Sequence, residues 1–209
     1  MSQISFDRAL LHQALLRYGQ AIGALLLMVG CIGNSQAATY KIEPSNSNVH
    51  FAIDHVRTSA TTGGFYNVTG LLQYDPSAKT GDISLVIPIS SLDTGNKVFN
   101  LKLMSADFFD MTQFPLARFE STKWYFTPDT ANSKVTRVDG KLTLHGQTRP
   151  ISLLATKFDC YPNSPLKSSV CSGNFTTTID RTQWNIKKYS LFGMTKNLTL
   201  NIQVKAAKL

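Results

Sequence analysis

The sequence predicts an all-β domain of about eight antiparallel strands, and three observations support that class. Apolar and polar residues alternate along several short segments, turn residues separate these segments, and no long segment repeats with a helical period. The clearest case is the segment from Leu198 to Val204, in which every second residue is apolar and the residues between are polar. Because side chains alternate between the two faces of a strand, this pattern is typical of a sheet with one buried face. A sandwich and a closed barrel both satisfy the pattern, so alternation alone leaves these two architectures open.

The other strands follow the same rule in chain order. Phe51 and Ile53 share one face of an early strand, and Leu85 and Ile87 share one face of a later strand. The predicted strands are 49–55, 65–74, 83–89, 117–126, 137–144, 151–156, 173–180 and 198–204. Turn-forming residues separate them at Asp75-Pro76, at Gly81-Asp82 and along 145–150, which reads HGQTRP. Strands and connections this short predict a single domain around one core.

The segment 103–122 is the most informative part of the chain. Its sequence, LMSADFFDMTQFPLARFEST, places Phe108 and Phe109 in a short connector between two strands. We expect Ser105 to cap a short helical turn that carries both rings, because serine favours the N-cap position, and Phe114-Pro115 to end that turn. Aromatic residues are costly to leave in water, so their number in one connector indicates a lid over an apolar cavity.

Residues 1–37 are predicted to be a secretory signal peptide that does not belong to the fold. Two arginines precede an apolar run over 21–32, and 35–37 offers a cleavage site. The apolar run is too short to span a bilayer comfortably, which disfavours a retained anchor. A lipoprotein lipidated at Cys31 is a further, less favoured alternative. We therefore expect a periplasmic protein whose folded domain covers 38–209.

Cysteine content and charge indicate the cellular compartment and the kinds of partner that we expect. Cys160 and Cys171 remain after removal of the leader, and an even number in an exported protein predicts a disulfide between them. No C-x-x-C motif is present, so neither a metal nor a redox role is expected. The net charge of +8 is scattered along the chain, and Lys187-Lys188 is the only adjacent basic pair. This distribution disfavours nucleic acid as a partner, whereas a diffuse positive field allows transient contact with an anionic membrane surface.

The chain resembles the YceI family of bacterial periplasmic proteins along 38–209. The motifs that carry the resemblance are, in the family's order, Tyr40-Lys41-Ile42-Glu43, VHFAIDH at 49–55, SLDTGN at 91–96, the aromatic block at 105–122, VDGKLTLHGQTRPI at 138–151, and Ile179-Asp180-Arg181. The resemblance implies a lipocalin-like antiparallel eight-stranded barrel with a short helical lid segment, 97–115, that closes its mouth. It also implies binding of a long isoprenoid lipid along the barrel axis, without a cofactor, a metal or catalysis.

Two departures from the family pattern lie near the expected cavity. Family members carry Arg-Asp and then His-Leu ahead of the lid, where this chain reads FNLKL at 99–103. The Phe-Gly that follows the last family arginine reads Trp184-Asn185 here. We therefore expect this protein to bind the same class of lipid as the family, but with a different preference for the head group of that lipid. The expected ligand-binding residues are Phe51, Ile53, His55, Phe65, Leu85, Ile87, Phe99, Leu101, Leu103, Phe108, Phe109, Phe119, Phe175, Arg181 and Trp184.

Three functions from different classes follow as hypotheses. The favoured one is periplasmic binding, transport or sequestration of a polyisoprenoid such as a ubiquinone-type or polyprenyl lipid. The second is a stress-linked interaction module whose barrel is filled and whose basic surface meets a partner. The least favoured is an enzyme that acts on a lipid through His55 and Arg181. His50 and His55 point to opposite faces of one strand and cannot share a metal, and the sequence lacks a G-x-S-x-G elbow or a P-loop. Whether the protein is a monomer or a dimer is left open.

Overall fold

A computed structural model describes residues 37–54, 60–128, 133–163, 168–191 and 193–209. These residues contain eleven strands and one α-helix, α1 (Lys97–Met104), with short 3₁₀ turns at Pro44–Asn46, Ile89–Ser91 and Arg181–Trp184. The strands are β1 (Ala38–Ile42), β2 (Asn48–Ile53), β3 (Thr61–Phe65), β4 (Thr69–Asp75), β5 (Thr80–Pro88), β6 (Leu92–Asp93), β7 (Leu116–Phe126), β8 (Val135–Leu144), β9 (Gln147–Asn163), β10 (Ser168–Asp180) and β11 (Asn197–Lys208).

Eight of these strands close into an antiparallel barrel. Their order is β1-β4-β5-β7-β8-β9-β10-β11, and β11 pairs back onto β1 through Tyr40 opposite Lys208. The predicted eight-stranded, lipocalin-like barrel with a short helix is therefore confirmed. Closure leaves the eight strands without a free edge, which removes the unpaired backbone groups that promote edge-to-edge association.

The other three strands extend from the barrel wall as a ribbon. The 3₁₀ turn at Pro44–Asn46 separates β1 from β2, so β11 pairs with β1 over 206–208 and with β2 over 199–203. β3 then pairs with β2, and the two-residue β6 pairs with β3. This ribbon delivers the chain to α1 at one end of the barrel.

The two barrel ends differ in how they are filled. We call the end at Pro88, Leu116 and Asn197 the lid end, and the end where β9 meets β10 the distal end. At the distal end an aromatic cluster of Tyr74, Trp124, Phe158 and Phe175 has ring centroids 5.0 to 6.2 Å apart. The predicted disulfide is present there as well, since Cys160 and Cys171 lie directly opposite each other on β9 and β10.

Several predicted boundaries were wrong. The single strand predicted at 65–74 is interrupted, because Asn67 adopts a left-handed backbone conformation (φ 62°) between β3 and β4. Gly81-Asp82 lies within β5 and not in a turn; the turn falls earlier, where the Asp75 carboxylate accepts hydrogen bonds from the amides of Ser77 and Ala78. Strands β9 and β10 also extend well beyond 151–156 and 173–180.

The helix of the lid lies earlier than predicted. Asn96, and not Ser105, caps it: the Asn96 side chain accepts a hydrogen bond from the Phe99 amide at 3.1 Å. Ser105 instead ends α1, with its hydroxyl donating to the Lys102 carbonyl at 2.7 Å. Asparagine is as good an N-cap residue as serine, so Asn96 can begin the helix in place of Ser105.

Candidate functional site

An apolar cavity lies at the lid end, between the lid segment 97–115, strands β2 and β3 of the ribbon, the loop after β10 and the start of β11. Nine of the side chains that line it are apolar, and two, Thr61 and Arg181, are polar. The apolar ones are Phe51, Ile53, Phe99, Leu103, Phe108, Phe109, Ile186, Met194 and Leu198. The cavity volume is about 40 Å³, so the side chains of the lid and the wall occupy most of the space between them.

The start of the lid segment is fixed to β6 by side-chain hydrogen bonds. The Asn100 side-chain oxygen accepts from the Thr94 amide at 2.9 Å and from the Thr94 hydroxyl at 2.6 Å. Its amide group donates to the Asp93 carboxylate at 3.0 Å, and that carboxylate also accepts from the Gly95 amide at 2.8 Å. The bond from Asn100, followed by that from Gly95, lowers the pKa of Asp93. These contacts set the direction in which α1 leaves the ribbon, so that Leu103 points into the cavity.

Two consecutive phenylalanines close the cavity after α1. Backbone hydrogen bonds from the Phe108 amide to the Ser105 carbonyl and from the Phe109 amide to the Leu103 carbonyl, both 3.0 Å, fold this part into successive turns. Both rings are buried. The Phe109 ring meets Phe65 of β3 edge-on at 5.3 Å, so the lid rests on the ribbon as well as on the barrel.

A charged cluster on the outside joins the lid segment to the loop that follows β10. Asp107 forms an ion pair with Lys102 of α1 and a second one with Lys188 at 3.4 Å. The hydrogen bond from Lys102 holds the pKa of Asp107 below its usual range and raises the pKa of Lys102 itself. We call these three residues the lid clasp. All three side chains are partly exposed to solvent, so each pair contributes little to stability.

Arg181 is the one charged side chain in the described cavity lining, and it is only 3 % exposed. Its Nε donates to the Thr195 carbonyl at 3.1 Å, and its Nη1 donates to the carbonyls of Ile186 and Lys188 at 2.7 and 2.9 Å. Its Nη2 is buried and has no hydrogen-bond partner among the described residues. Burial lowers the pKa of Arg181, an effect that the charge of Asp180 partly offsets.

Comparison with known proteins identifies the family. The family model of the YceI-like domain matches residues 40–206. The chain belongs to the YceI-like family. A UPF0312 protein of Pseudomonas putida strain F1 is 31 % identical to this YceI-like protein over 187 residues, which cover 88 % of this chain and 93 % of that protein.

Solved structures share the barrel of this YceI-like protein. The crystal structure of Burkholderia cenocepacia BcnA aligns with a TM-score of 0.62 at 22 % identity, covering 78 % of this chain and 98 % of BcnA. A polyisoprenoid binding domain from Saccharophagus degradans aligns with a TM-score of 0.59 at 12 % identity, covering 83 % of this chain and 100 % of that domain. At these identities the likeness concerns the fold alone.

The second departure from the family pattern has a structural explanation. Asn185 stands where the family carries glycine, and its φ of 62° lies in the left-handed region that glycine adopts without strain. Asparagine is among the few other residues that tolerate this conformation. Trp184, in place of phenylalanine, is buried and donates from Nε1 to the Leu142 carbonyl at 3.1 Å. Asn185 therefore forms a left-handed turn of the kind that glycine also permits.

The structure brings seven of the predicted ligand-binding residues to the cavity: Phe51, Ile53, Phe99, Leu103, Phe108, Phe109 and Arg181. Others are buried elsewhere: Phe65 packs against Phe109, Phe175 belongs to the distal aromatic cluster, and Leu85, Ile87, Phe119 and Trp184 are in the core. Leu101 does not line the cavity, and it is 71 % exposed on the outer side of α1. His55 and Cys31 lie outside the described residues, as does all of the predicted leader except Ala37.

Four lining residues were not predicted, namely Thr61, Ile186, Met194 and Leu198. Leu198 could have been found, because it opens the alternating row of the last strand. Ile186 and Met194 occupy an irregular loop where no periodicity indicates which side chains are buried. No group of three or more His, Cys, Asp or Glu residues in the described part of the chain is placed to hold a metal. Within the same residues, none of the helices has the length and apolarity needed to cross a membrane.

Proposed function

We propose that this YceI-like protein binds a polyisoprenoid lipid, of the ubiquinone or polyprenyl type, and carries or sequesters it in the periplasm. The observation that carries the proposal is the apolar cavity beneath a lid rich in phenylalanine, in a barrel of the same fold as a polyisoprenoid binding domain. The disulfide supports an oxidising compartment. The predicted leader supports export, and it remains a prediction.

The energetics favour an oily tail over a polar ligand. Burial of each CH₂-sized group contributes about 0.8 kcal/mol, so a few prenyl units outweigh the cost of association of about 4–15 kcal/mol. Such binding needs little polar recognition. This explains how the polar residues ahead of the family's lid could be replaced in this chain without loss of the binding class.

Binding requires the lid segment to move. The cavity volume is about 40 Å³, a space for only a few water molecules at about 10–15 Å³ each, and a tail of several prenyl units needs far more room. The lid clasp is exposed and weak, while the barrel strands are held by continuous hydrogen-bonded ladders. We therefore propose that Phe108 and Phe109 swing outwards and that the tail replaces them against the barrel wall.

Two substitutions on α1 form a matched test of ligand binding. Protein stripped of lipid is incubated with a radiolabelled polyprenol or ubiquinone, and bound ligand is measured after gel filtration. Leu103→Trp adds bulk inside the cavity and should abolish uptake, whereas Leu101→Trp adds the same bulk on the outer side of α1 and should leave uptake intact. Circular dichroism checks that both variants are folded. Absence of uptake by the unaltered protein would reject the proposal and favour the filled-barrel interaction module.

The outer surface of the lid end suggests how a lipid is acquired. Val98 and Leu101 are 78 % and 71 % exposed, and they lie one helical turn apart on α1. Leu191, which is 80 % exposed, lies in the loop that the lid clasp joins to this segment, near the basic pair Lys187-Lys188. Apolar side chains beside positive charge suit an anionic membrane surface, and we propose that the lid end docks there transiently.

Vesicle flotation tests the docking step. Protein mixed with vesicles of phosphatidylglycerol and phosphatidylcholine should float with them. The double variant Val98→Ser/Leu101→Ser should float far less. Leu154→Ser removes an exposed leucine from β9 and serves as the control, with flotation equal to that of the unaltered protein. Equal flotation of all three proteins would contradict membrane docking through α1.

A further inference from the structure

The methionines of the folded domain all lie at the lid end. The chain has five methionines, of which Met1 and Met28 belong to the predicted leader. Met104 is the last residue of α1, Met111 follows it in the lid segment, and Met194 lies in the loop between β10 and β11. The buried side chains of the described strands include no methionine. The distribution is therefore a property of the lid and not of the core.

Each of the three side chains is half-buried. Met104, Met111 and Met194 are partly exposed to solvent, and they pack against buried apolar residues of the core. Met194 also lines the apolar cavity. A half-buried side chain can meet a small solute, while its apolar packing contributes to closure of the lid.

Backbone hydrogen bonds place these methionines in the two pieces that cover the cavity. The Met111 amide donates to the Met104 carbonyl at 3.0 Å, and this bond joins the two ends of the turns that carry the buried phenylalanines. The Met194 amide donates to the Tyr189 carbonyl at 3.3 Å, within the loop that the lid clasp joins to the lid segment. A chemical change at the three side chains therefore acts on both pieces.

The three thioethers are the only sulfur groups of residues 38–209 outside the disulfide. Cys160 and Cys171 are bonded to each other, which indicates an oxidising compartment. Oxidation converts methionine from a flexible apolar side chain into a polar sulfoxide, and it disrupts packing that depends on the apolar form. An oxidant that reaches this domain therefore finds its reactive sulfur at the lid.

We propose that Met104, Met111 and Met194 form an oxidation site whose modification opens the lid and releases the lipid. A two-electron oxidant of the hypochlorous acid type transfers one oxygen atom to each thioether sulfur. The sulfur is oxidised to a sulfoxide, and hypochlorous acid is reduced to chloride with release of a proton. The polar S=O group then disfavours both the closed lid and contact with an oily tail. This inference rests on the proposed lipid binding and adds a regulation of the same site.

The affinity for a polyprenol before and after oxidation measures the effect. The purified protein is treated with a small molar excess of hypochlorous acid and quenched with free methionine, and peptide mass spectrometry locates each added oxygen. The affinity for a radiolabelled polyprenol in equilibrium dialysis should fall at least about tenfold, which corresponds to about 1.4 kcal/mol. Sulfoxides at the three positions with an unchanged affinity would overturn the proposal, and so would thioethers that stay unmodified.

Leucine variants separate methionine oxidation from other damage. Leucine is close to methionine in volume and cannot form a sulfoxide. The variant Met104→Leu/Met111→Leu/Met194→Leu is compared with itself before and after treatment, because Met194 lines the cavity and its replacement also changes the lining. Its affinity should not fall on oxidation, and a loss as large as in the unaltered protein would overturn the proposal. Protection by one single substitution would support it and would identify the decisive thioether.

A matched control places a thioether where it does not pack. Leu101→Met, introduced into the triple leucine variant, puts a methionine on the outer side of α1, where Leu101 is 71 % exposed. It should form a sulfoxide readily and leave the affinity unchanged. A tenfold loss of affinity from this sulfoxide would contradict the role of the packed positions.

A readout without lipid distinguishes failure of this proposal from failure of lipid binding. Trypsin can cut the lid segment after Lys97 and Lys102, and it does so faster when the segment leaves the barrel. Oxidation should accelerate these cuts in the unaltered protein and not in the triple leucine variant. Faster cutting in a protein that takes up no polyprenol would reject lipid binding and keep the opening of the lid by oxidation. Polyprenol uptake and cutting that oxidation leaves unchanged would reject the oxidation site and keep lipid binding.

Discussion

Truncation of Leu103 to alanine should destabilise the protein strongly, while the same truncation at Leu101 should not. The two leucines lie two positions apart on α1 and are 5 % and 71 % exposed. The two variants therefore lie on the same helix and lose the same side-chain atoms. The comparison isolates the packing of the lid against the barrel from the helical propensity of α1.

The size of the effect follows from burial. Leucine to alanine removes three carbon groups, which lose about 2.4 kcal/mol of transfer free energy at 0.8 kcal/mol each. The new space adjoins a cavity that already exists, and buried leucine truncations cost about 2–5 kcal/mol in total. We expect about 3 kcal/mol for Leu103→Ala, and less than about 0.5 kcal/mol for Leu101→Ala, a value typical of exposed positions.

Urea unfolding followed by tryptophan fluorescence measures both variants. Leu103→Ala should lower the midpoint without changing the slope, because both variants expose the same surface on unfolding. Equal losses at the two positions, or a larger loss at Leu101, would refute the orientation of α1 and with it the lid. A lower slope for Leu103→Ala alone would mean that the lid unfolds separately from the barrel.

Three further predictions concern the disulfide, the lid clasp and the turn after Arg181. Reduction of the Cys160–Cys171 disulfide should lower the free energy of unfolding by about 2–3 kcal/mol and lower the melting temperature. An unchanged melting temperature would contradict a stabilising role of the disulfide. The pKa of Asp107 is lower in the folded state than in the unfolded state. Its contribution to the stability of the fold is therefore present above the unfolded pKa and is lost as pH falls through the folded pKa. Urea unfolding between about pH 5 and pH 3 should therefore show a slightly smaller loss for Asp107→Asn than for the unaltered protein, and identical losses would argue against the clasp. Asn185→Gly should keep or raise stability, whereas Asn185→Ala should lower it by about 1 kcal/mol; the reverse order in thermal melts would contradict the left-handed backbone at that position.

The barrel was predictable because strand alternation is a local property. The last strand shows it most clearly: Leu198 and Leu200 are buried and Asn201 is exposed, as the alternation requires. Closure was not predictable from alternation, since a sandwich has the same pattern. The order of family motifs decided between the two, and the pairing of β1 with β11 confirms that choice.

The lid was predicted as a feature but not in its details. Phe108 and Phe109 are buried over the cavity as expected, because two adjacent aromatic residues in a connector need an apolar surface. The direction of Leu101 was not predictable, since it depends on where α1 begins, and both Asn96 and Ser105 are good caps. A shift of the helix start by a few residues rotates every side chain to another face.

The free nitrogen of Arg181 could not be read from the sequence. The sequence marks Arg181 as part of a family motif and as an expected ligand-binding residue, without indicating which groups its nitrogens contact. The three carbonyls that occupy its other nitrogens belong to an irregular loop, whose path depends on tertiary packing and not on periodicity.

Native mass spectrometry of the protein purified from its own host measures directly whether the barrel holds a lipid. Spectra recorded under gentle conditions should show a bound lipid of several prenyl units, which is released when the complex is activated by collision. Fragmentation of the released molecule should reveal a polyprenyl chain. Spectra that show only empty protein, together with no uptake of added polyprenyl phosphate or ubiquinone, would contradict lipid binding as the function of this barrel.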